Sequence, residues 1–258
     1  MILRIFYQWT AQGCHSMYLR DNKILFIHLP RNAGQSVTVF FYSCLGILDQ
    51  FANANGYNEI KKNKTIEQLY QSDSPNERYL FAKNNHWKVP GPLVLTYMTL
   101  QEYVDYGYIP EEELLSIQKL VTVRNPYERI ISACNHRSVA PHWSWIDKTV
   151  RQDPIRSEKF RHFCKQSDFI KLNGEVAVDE IVKLEEISKI PSMVSDRIDV
   201  GRSKITHYNK RSEDQIYKRV IENRIISARV PEDMDRETID WINDYYHEDF
   251  ERFGYEKI

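Results

Sequence analysis

The chain has 258 residues, of which 42% are hydrophobic and 12% aromatic, so it can bury the core of one large α/β domain. Its formal net charge of −1 gives no support for binding nucleic acid or a membrane surface through overall charge. No segment approaches the roughly 20 apolar residues of a transmembrane helix, and the N-terminus lacks the pattern of a signal peptide, so we expect a cytoplasmic protein.

The cysteines predict neither a disulfide framework nor a metal site. Cys14, Cys44, Cys134 and Cys164 form no CxxC pair and show no spacing typical of metal ligands. We expect small thiols, buried or partly exposed. A disulfide framework is not expected in a chain this long with so few cysteines.

Short apolar runs alternate along the chain with helical patterns, and this alternation predicts the fold class. The predicted strands are Ile24–Leu29, Tyr79–Lys83, Leu93–Tyr97, Leu120–Val123, Glu180–Leu184 and Lys204–Tyr208. The predicted helices are Ser36–Leu48, Glu111–Ser116, Tyr127–Asn135, Ser157–Lys165, Glu213–Arg224 and Arg236–Phe253. This order indicates an α/β fold with a mostly parallel central sheet flanked by helices. No linker divides the single domain predicted at residues 1–258.

The first informative motif is the stretch Lys23–Ser36, KILFIHLPRNAGQS. An apolar run ends at Pro30, a short loop containing the cation Arg31 follows, and a helical pattern then begins. The unpaired N–H groups and positive dipole end of a helix N-terminus suit an oxyanion such as phosphate or sulfate. The motif therefore predicts an anion site, and it is not a nucleoside triphosphatase loop because GxxxxGK[ST] is absent.

A second stretch, LVTVRNPYERIISAC, repeats the pattern of a strand running into a helix. Arg124 lies at the junction and Ser132 lies inside the predicted helix. Asn125 is a suitable N-cap, Pro126 suits the first helical position, and Glu128 stands where a capping-box acid would stand. The end of a parallel strand is where open α/β sheets bind ligands, so Arg124 is a candidate binding residue.

Together these motifs resemble those of the sulfotransferase superfamily, which uses the donor 3′-phosphoadenosine 5′-phosphosulfate (PAPS). FIHLPRNAGQS resembles the 5′-phosphosulfate loop of that family, and VTVRNPYERIISA resembles its 3′-phosphate motif. The combination of FIHxP, AGxS and VRNP is most similar to the glycan-sulfating branch. Two weaker matches, Val178–Lys189 and Ile205–Ser212, extend the resemblance from Lys23 to Tyr255 and leave residues 1–20 uncovered. The resemblance implies a P-loop-like sulfotransferase fold.

The resemblance also implies which residues bind the donor. It assigns the 5′-phosphosulfate to the loop, the 3′-phosphate to the strand and helix of the second motif, and closure over the donor to a later segment. The implied residues are Arg31, Asn32, Ala33, Gly34, Gln35 and Ser36, then Arg124 and Ser132, then Asn209 and Lys210. Arg31 replaces the usual lysine. A guanidinium binds oxyanions bidentately but stays protonated, so its catalytic role would be electrostatic. Neither the resemblance nor the spacing implies a metal.

His86 is the residue that the resemblance implies as the catalytic base. It follows the predicted strand Tyr79–Lys83, and glycan-sulfating relatives place a catalytic histidine after the corresponding strand. Asn85 stands where those relatives commonly have glycine. A loop histidine without a catalytic role is the alternative, and Lys83 either packs on the surface or supplies the ammonium that position 31 lacks.

We therefore expect a sulfotransferase that acts on a hydroxyl of a glycan or related compound. Two alternatives remain open: a sulfotransferase for a small non-sugar molecule, and a catalytically silent nucleotide-binding protein of the same fold. The irregular stretches Asn53–Lys64 and Val139–Arg156 are candidates for acceptor-binding loops or for ordinary surface loops. The initial methionine favours a bacterial cytoplasmic enzyme over a trimmed catalytic domain. The sequence indicates no oligomeric state.

Overall fold

A four-stranded sheet is the centre of the part of the chain that the structure describes. The computed structural model describes residues 17–19, 22–44, 97–105, 109–137, 139–151, 158–205 and 230–258. Its strands are β1 (Met17–Leu19), β2 (Ile24–Ile27), β3 (Gln118–Val123), β4 (Lys171–Leu172), β5 (Glu175–Val176) and β6 (Glu180–Lys183). The sheet has the order β1-β2-β3-β6, and β4 and β5 form a separate antiparallel pair.

Helices and short 3₁₀ turns surround these strands. The helices are α1 (Gly34–Cys44), α2 (Leu100–Asp105), α3 (Glu111–Ser116), α4 (Pro126–Arg137), α5 (Trp143–Arg151), α6 (Glu158–Arg161), α7 (Ile190–Val194), α8 (Arg236–Tyr245) and α9 (His247–Phe253). The 3₁₀ turns are Ser167–Ile170, Leu184–Lys189 and Pro231–Asp233. No helix among these described residues is long and apolar enough to cross a membrane.

The sheet is mostly parallel, as predicted. Strands β2, β3 and β6 run in the same direction, with Phe26 opposite Leu120 and Val121 opposite Ile181, whereas β1 pairs antiparallel with β2. All four residues of β2 are buried, which is typical of parallel strands covered on both faces. The sequence did not indicate β1, because three residues are too few for a periodic pattern.

The alternation of side chains along β2 and β3 divides the core into two layers. Phe26 and Leu120 pack on one face with Phe40 of α1, and Ile27 and Val121 pack on the other face in a separate cluster. A third cluster lies among α4, α5, α8 and α9; its buried members include Tyr127, Ile130, Ile146, Ile242 and Phe250. The three clusters fix the carboxyl ends of β2 and β3, where both predicted motifs lie.

Three predicted strands and three predicted helices match described elements, with end shifts of a few residues. The elements predicted at Tyr79–Lys83 and Glu213–Arg224 lie outside the described residues. Of Leu93–Tyr97 the structure describes only Tyr97, and of Lys204–Tyr208 only two residues, neither of them in a strand. The helix predicted at Ser157–Lys165 is described only as the short helix α6, and α2 and α7 were not predicted.

The prediction of an irregular stretch at Val139–Arg156 is wrong over α5. Ile146 and Thr149 of this helix are buried, and Trp145 packs edge-on against Phe163. The Oγ1 of Thr238 in α8 accepts a hydrogen bond from the first backbone N–H of α5, at 3.0 Å. The apolar side chains of α5 are concentrated on one side of the helix, so the segment carries a helical pattern that the interpretation as a loop overlooked.

The predicted helix Arg236–Phe253 is divided at Tyr246. This residue leaves helical geometry, with φ −97° and ψ 20°, and its hydroxyl donates to the carbonyl oxygen of Phe163. The predicted apolar face is nevertheless correct, because Ile239, Ile242, Tyr246 and Phe250 are all buried. A distant backbone acceptor determines the break, which the local sequence does not encode.

The described cysteines are free thiols, as predicted. Cys134 and Cys164 are buried and Cys44 is half-buried. Burial raises the pKa of the Cys134 thiol to about 12, so this side chain is inert as a nucleophile near neutral pH. Cys14 lies outside the described residues.

A buried ion pair anchors α2. Glu102 and Thr99 form a reciprocal capping box: the N–H of Thr99 donates to Glu102 Oε2 at 2.8 Å and the N–H of Glu102 donates to Thr99 Oγ1 at 3.2 Å. Arg161 donates to both carboxylate oxygens of Glu102, at 2.7 and 2.5 Å. Arg161 Nη1 also donates to the carbonyl oxygen of Tyr97, at 2.7 Å, so this pair joins α6 to the start of α2.

Removing one partner of this pair should destabilise the fold. Arg161→Met would leave the Glu102 carboxylate buried without its cation, which typically costs about 3–5 kcal/mol in the free energy of unfolding. Arg236→Met is the matched control, because Arg236 pairs with Asp240 on an exposed helix face and should cost no more than about 0.5 kcal/mol. Urea titration followed by circular dichroism measures both. Equal losses in the two variants would contradict this account of the buried pair.

Candidate functional site

The loop between β2 and α1 has a backbone typical of anion-binding loops. Arg31 (φ 70°) and Ala33 (φ 58°) both lie in the left-handed region, which non-glycine residues rarely enter. Such residues create the concave arrangements of N–H groups that bind anions. The N–H groups of Ser36 and Val37 bond to the carbonyl oxygen of Ala33, so α1 starts directly at the loop. The loop therefore combines two features that favour an oxyanion.

Gly34 is required by a close contact with His28. A Cβ atom at position 34 would lie 1.9 Å from Cδ2 and 2.0 Å from Nε2 of the His28 ring. His28 is buried and packs edge-on against Tyr97. The family resemblance assigns Gly34 to donor binding. The structure gives a separate reason for glycine here, because a side chain would collide with the imidazole of His28.

The side chain of Asn32 holds the loop against β3. This side chain is fully buried, and Nδ2 donates to the carbonyl oxygen of Thr122 at 3.0 Å and to Gln166 Oε1 at 2.6 Å. In return, Thr122 Oγ1 donates to the carbonyl oxygen of Asn32 at 2.6 Å. The side chain of Asn32 therefore binds β3 and its neighbours, so only its backbone is suited to contact a ligand.

The two sequence motifs meet at Arg31 and Ser132. The Nε of Arg31 donates to the Oγ of Ser132 at 3.0 Å, across 101 positions of the sequence. Both residues are partly exposed. A cation from the first motif and a hydroxyl from the second motif thus lie within one hydrogen bond at this edge of the sheet.

Arg124 also lies at this sheet edge, immediately after β3. Its Nε donates to Glu128 Oε2 at 3.0 Å, and its side chain is 24% exposed. Asn125 acts as the predicted N-cap, since its Oδ1 accepts from the N–H of Tyr127 at 3.0 Å. Glu128 was expected to complete a capping box, but its carboxylate pairs with the guanidinium of Arg124. This pairing orients one edge of the guanidinium and directs the Arg124 side chain along α4.

Arg129 is a buried structural residue next to the loop. Its side chain donates to the carbonyl oxygens of Pro30, Cys164 and Arg161, at 3.2, 2.7 and 3.3 Å. Because one of the three carbonyls belongs to Pro30, Arg129 holds the base of the loop.

Glu185 accepts a hydrogen bond from the hydroxyl of Tyr255 at 3.2 Å. Burial is the main factor that raises the pKa of Tyr255, and the negative charge of Glu185 raises it further. The phenol therefore stays protonated and donates. It also lies 3.4 Å from the carbonyl oxygen of Val123, so the C-terminal segment covers the end of β3.

Several predicted site residues lie outside the described residues: Lys83, Asn85, His86, Asn209 and Lys210. Gln35 lies in the first turn of α1, and Ser36 is buried at the same helix start. Sequence reasoning missed His28, Thr122 and Gln166. His28 and Thr122 lie inside the two motifs and Gln166 lies outside both, but a polar residue shows its structural role only in the folded chain.

Within the described ranges, no group of three or more His, Cys, Asp or Glu side chains could hold a metal ion. The groups at the described edge that suit an anion include the guanidinium groups of Arg31 and Arg124, the hydroxyl of Ser132, and the N–H groups of the loop and of the start of α1. These groups bind and stabilise negative charge.

The contact between Gly34 and His28 predicts a non-additive pair of substitutions. Gly34→Ala should lower the free energy of unfolding by about 1–3 kcal/mol, because the added methyl group overpacks the loop against the imidazole. The double variant His28→Ala/Gly34→Ala should lose less than the sum of the single variants, since the smaller residue at position 28 makes room. Urea titration of the four proteins measures the coupling, and strictly additive losses would contradict the collision.

The comparison with known proteins agrees with the motifs. A model of the sulfotransferase family matches residues 15–256, a match that begins upstream of Lys23, where the motif resemblance starts. A search of the curated proteins and a search of the solved structures each find no match. Because the family match spans nearly the whole sequence and contains both motifs, the chain belongs to the sulfotransferase family.

Proposed function

We propose that this sulfotransferase takes its sulfuryl group from PAPS and transfers it to a hydroxyl of a glycan or related acceptor. The observation that carries the donor assignment is the hydrogen bond from Arg31 to Ser132. It brings the motif assigned to the 5′-phosphosulfate against the motif assigned to the 3′-phosphate, and a donor with phosphate groups at both positions uses both.

In the proposed reaction the acceptor oxygen attacks sulfur as the bond between sulfur and the 5′-phosphate oxygen breaks. The products are the sulfate ester and adenosine 3′,5′-bisphosphate, and the acceptor proton passes to a base. Charge develops on the leaving phosphate oxygen, so electrostatic stabilisation and positioning supply most of the catalysis, as in phosphoryl transfer. Arg31 and the N–H groups at the start of α1 would stabilise that charge.

Arg124 and Ser132 would bind the 3′-phosphate, the group that distinguishes PAPS from ordinary adenine nucleotides. With its Nε paired to Glu128, the guanidinium of Arg124 has a fixed edge, and its terminal amino groups suit a phosphate. Asn209 and Lys210 are proposed to close over the donor on the basis of the family resemblance alone. The glycan acceptor likewise rests on the resemblance of the two motifs to that branch.

His86 is the proposed base. An imidazole with an ordinary pKa of about 6.5 is largely neutral near pH 7 and accepts a proton. General-base catalysis typically contributes about 10²–10⁴-fold, so His86→Ala should reduce kcat by that factor and remove the acidic limb of the pH–rate profile. Donor binding should change little. Turnover close to normal in His86→Ala would show that another residue is the base.

A nucleotide-binding protein without catalytic activity is the alternative from another class, favoured by arginine in place of the usual lysine at position 31. Incubation with PAPS labelled with ³⁵S and a panel of sugar, phenol and lipid hydroxyls separates the candidates. Label transfer to a sugar supports the proposal, transfer only to another hydroxyl corrects the acceptor, and donor binding without transfer supports the silent protein.

The donor assignment predicts strong selectivity for the 3′-phosphate. The chain should bind adenosine 3′,5′-bisphosphate much more tightly than adenosine 5′-phosphate in calorimetry. Arg124→Ala should weaken the binding of adenosine 3′,5′-bisphosphate at least about tenfold, since a hydrogen bond to a charged group contributes roughly 1.5–3 kcal/mol. Arg151→Ala is the control, because Arg151 is also paired with an acid four residues away but lies on an exposed face of α5. Equal affinity for both nucleotides in the unmodified protein would refute the assignment.

The role proposed for Arg31 predicts a larger effect on turnover than on product binding. Arg31→Ala should lower kcat by a larger factor than it weakens the binding of adenosine 3′,5′-bisphosphate, because the charge on the leaving oxygen develops only during the reaction. Arg31→Lys should keep measurable activity, since a cation is retained. Parallel measurement of kcat and of the dissociation constant tests this. An unchanged kcat in Arg31→Ala would assign the charge to another cation, and Lys83 would be substituted next.

A further inference from the structure

We propose that Gln166 is a positioning residue that holds the two donor-binding segments in register with each other. The inference rests on the proposed donor, because it concerns the segments assigned to the 3′-phosphate and to the 5′-phosphosulfate. Gln166 follows α6 and belongs to neither sequence motif. Its side chain nevertheless contacts the residue in each motif that lies at the edge of the sheet.

The carboxamide of Gln166 pairs with both polar backbone groups of Arg124. Its Oε1 accepts from the N–H of Arg124 at 3.0 Å, and its Nε2 donates to the carbonyl oxygen of Arg124 at 2.8 Å. A neighbouring strand would supply the same two bonds in a sheet. The side chain of Gln166 thus takes the place of a strand partner at Arg124, one residue beyond the end of β3. It fixes the backbone from which the Arg124 guanidinium extends.

The same carboxamide reaches the loop. Its Oε1 accepts a second hydrogen bond, from Asn32 Nδ2, at 2.6 Å. Asn32 directly follows Arg31, so one buried oxygen atom connects the backbone of the proposed 3′-phosphate arginine with the residue next to the proposed 5′-phosphosulfate cation. Gln166 has no exposed surface, and its three hydrogen bonds use both polar atoms of the side chain.

Gln166 is itself held by α9. Its backbone N–H donates to Asp249 Oδ2 at 2.8 Å, and the N–H of Ser167 donates to Asp249 Oδ1 at 2.9 Å. Burial raises the pKa of Asp249, while these two hydrogen bonds and the charge of Arg129 oppose that rise. The carboxylate is thus matched by two N–H donors, and the position of Gln166 is determined at both its backbone and its side chain.

The hydrogen bonds of Gln166 predict that its substitution changes the distance between the two proposed phosphate sites. A shift of about 1 Å in a positioned group can reduce catalysis about 100-fold, and a donor with two phosphates is sensitive to the distance between their sites. The ratio of the dissociation constants for adenosine 5′-phosphate and adenosine 3′,5′-bisphosphate measures how much the 3′-phosphate contributes. A residue needed only for folding would change the melting temperature and leave this ratio constant in the folded protein.

The test compares Gln166→Met and Gln166→Asn with the matched control Gln118→Met. Gln118 lies at the other end of β3 and donates its Nε2 to the carbonyl oxygen of Met193, at 3.2 Å. Calorimetry with both nucleotides is performed on the full chain well below the melting temperature of each variant. We expect Gln166→Met to reduce the ratio at least about tenfold and Gln118→Met to leave it unchanged.

Gln166→Asn keeps a carboxamide but withdraws it by one methylene group, so it decides the question if the methionine variant does not fold. A reduced ratio in either folded Gln166 variant supports the proposal. An unchanged ratio, or an equal reduction in Gln118→Met, overturns it while the donor assignment stands. If the unmodified protein itself does not distinguish the two nucleotides, the donor assignment fails, and this inference fails with it.

Discussion

The reciprocal hydrogen bonds between Asn32 and Thr122 satisfy a constraint on which the whole site depends. Where β2 ends at Ile27, β3 continues and its buried backbone groups need other partners. The side chain of Asn32 supplies one to the carbonyl oxygen of Thr122, and the hydroxyl of Thr122 supplies one to the carbonyl oxygen of Asn32. The loop stays against β3 because departure would leave these polar groups unpaired, at a typical cost of about 1–3 kcal/mol each.

Beyond the end of the sheet, side chains supply hydrogen bonds to the backbone, and the buried guanidinium of Arg129 contacts the loop. Gln166 completes the hydrogen bonding of Arg124 as Asn32 does for Thr122. The three carbonyl oxygens that surround Arg129 partly compensate its charge, and one of them belongs to Pro30 in the loop. The loop therefore lies above a fixed positive charge, in addition to the N–H groups of α1, and both favour a negatively charged ligand.

The sequence predicts best what local signals determine. The strand and helix around Arg124 follow from an apolar run and from Asn125 and Pro126, and the capping hydrogen bond has the expected form. The break in the last helix was not predictable, because the hydroxyl of Tyr246 bonds to the distant carbonyl oxygen of Phe163. Helix α5 is different, since its amphipathic pattern is present in the sequence and was overlooked.

The residues of the candidate site likewise fall into those that the sequence indicates and those that only the folded chain reveals. The family resemblance assigned Arg31 and Ser132 to one ligand. The two side chains share a hydrogen bond, and their roles in binding stay predictions. The resemblance also assigned Gly34 to the donor, and the structure adds that the ring of His28 leaves no room for a side chain there. The bracing role of Gln166 could not be predicted, because it depends on backbone groups that only the fold brings together. The assignments of His86, Asn209 and Lys210 stay predictions.

The bonds from Asp249 to the backbone around Gln166 have a consequence for the order in which the protein is made. The ribosome synthesises the loop at 31–36 and the strand before Arg124 long before it synthesises α9. Asp249 belongs to α9, so the buried N–H groups of Gln166 and Ser167 gain this carboxylate only after residue 249 has left the exit tunnel. A nascent chain that already contains both motifs would thus lack the full support of Gln166 until its last described helix docks.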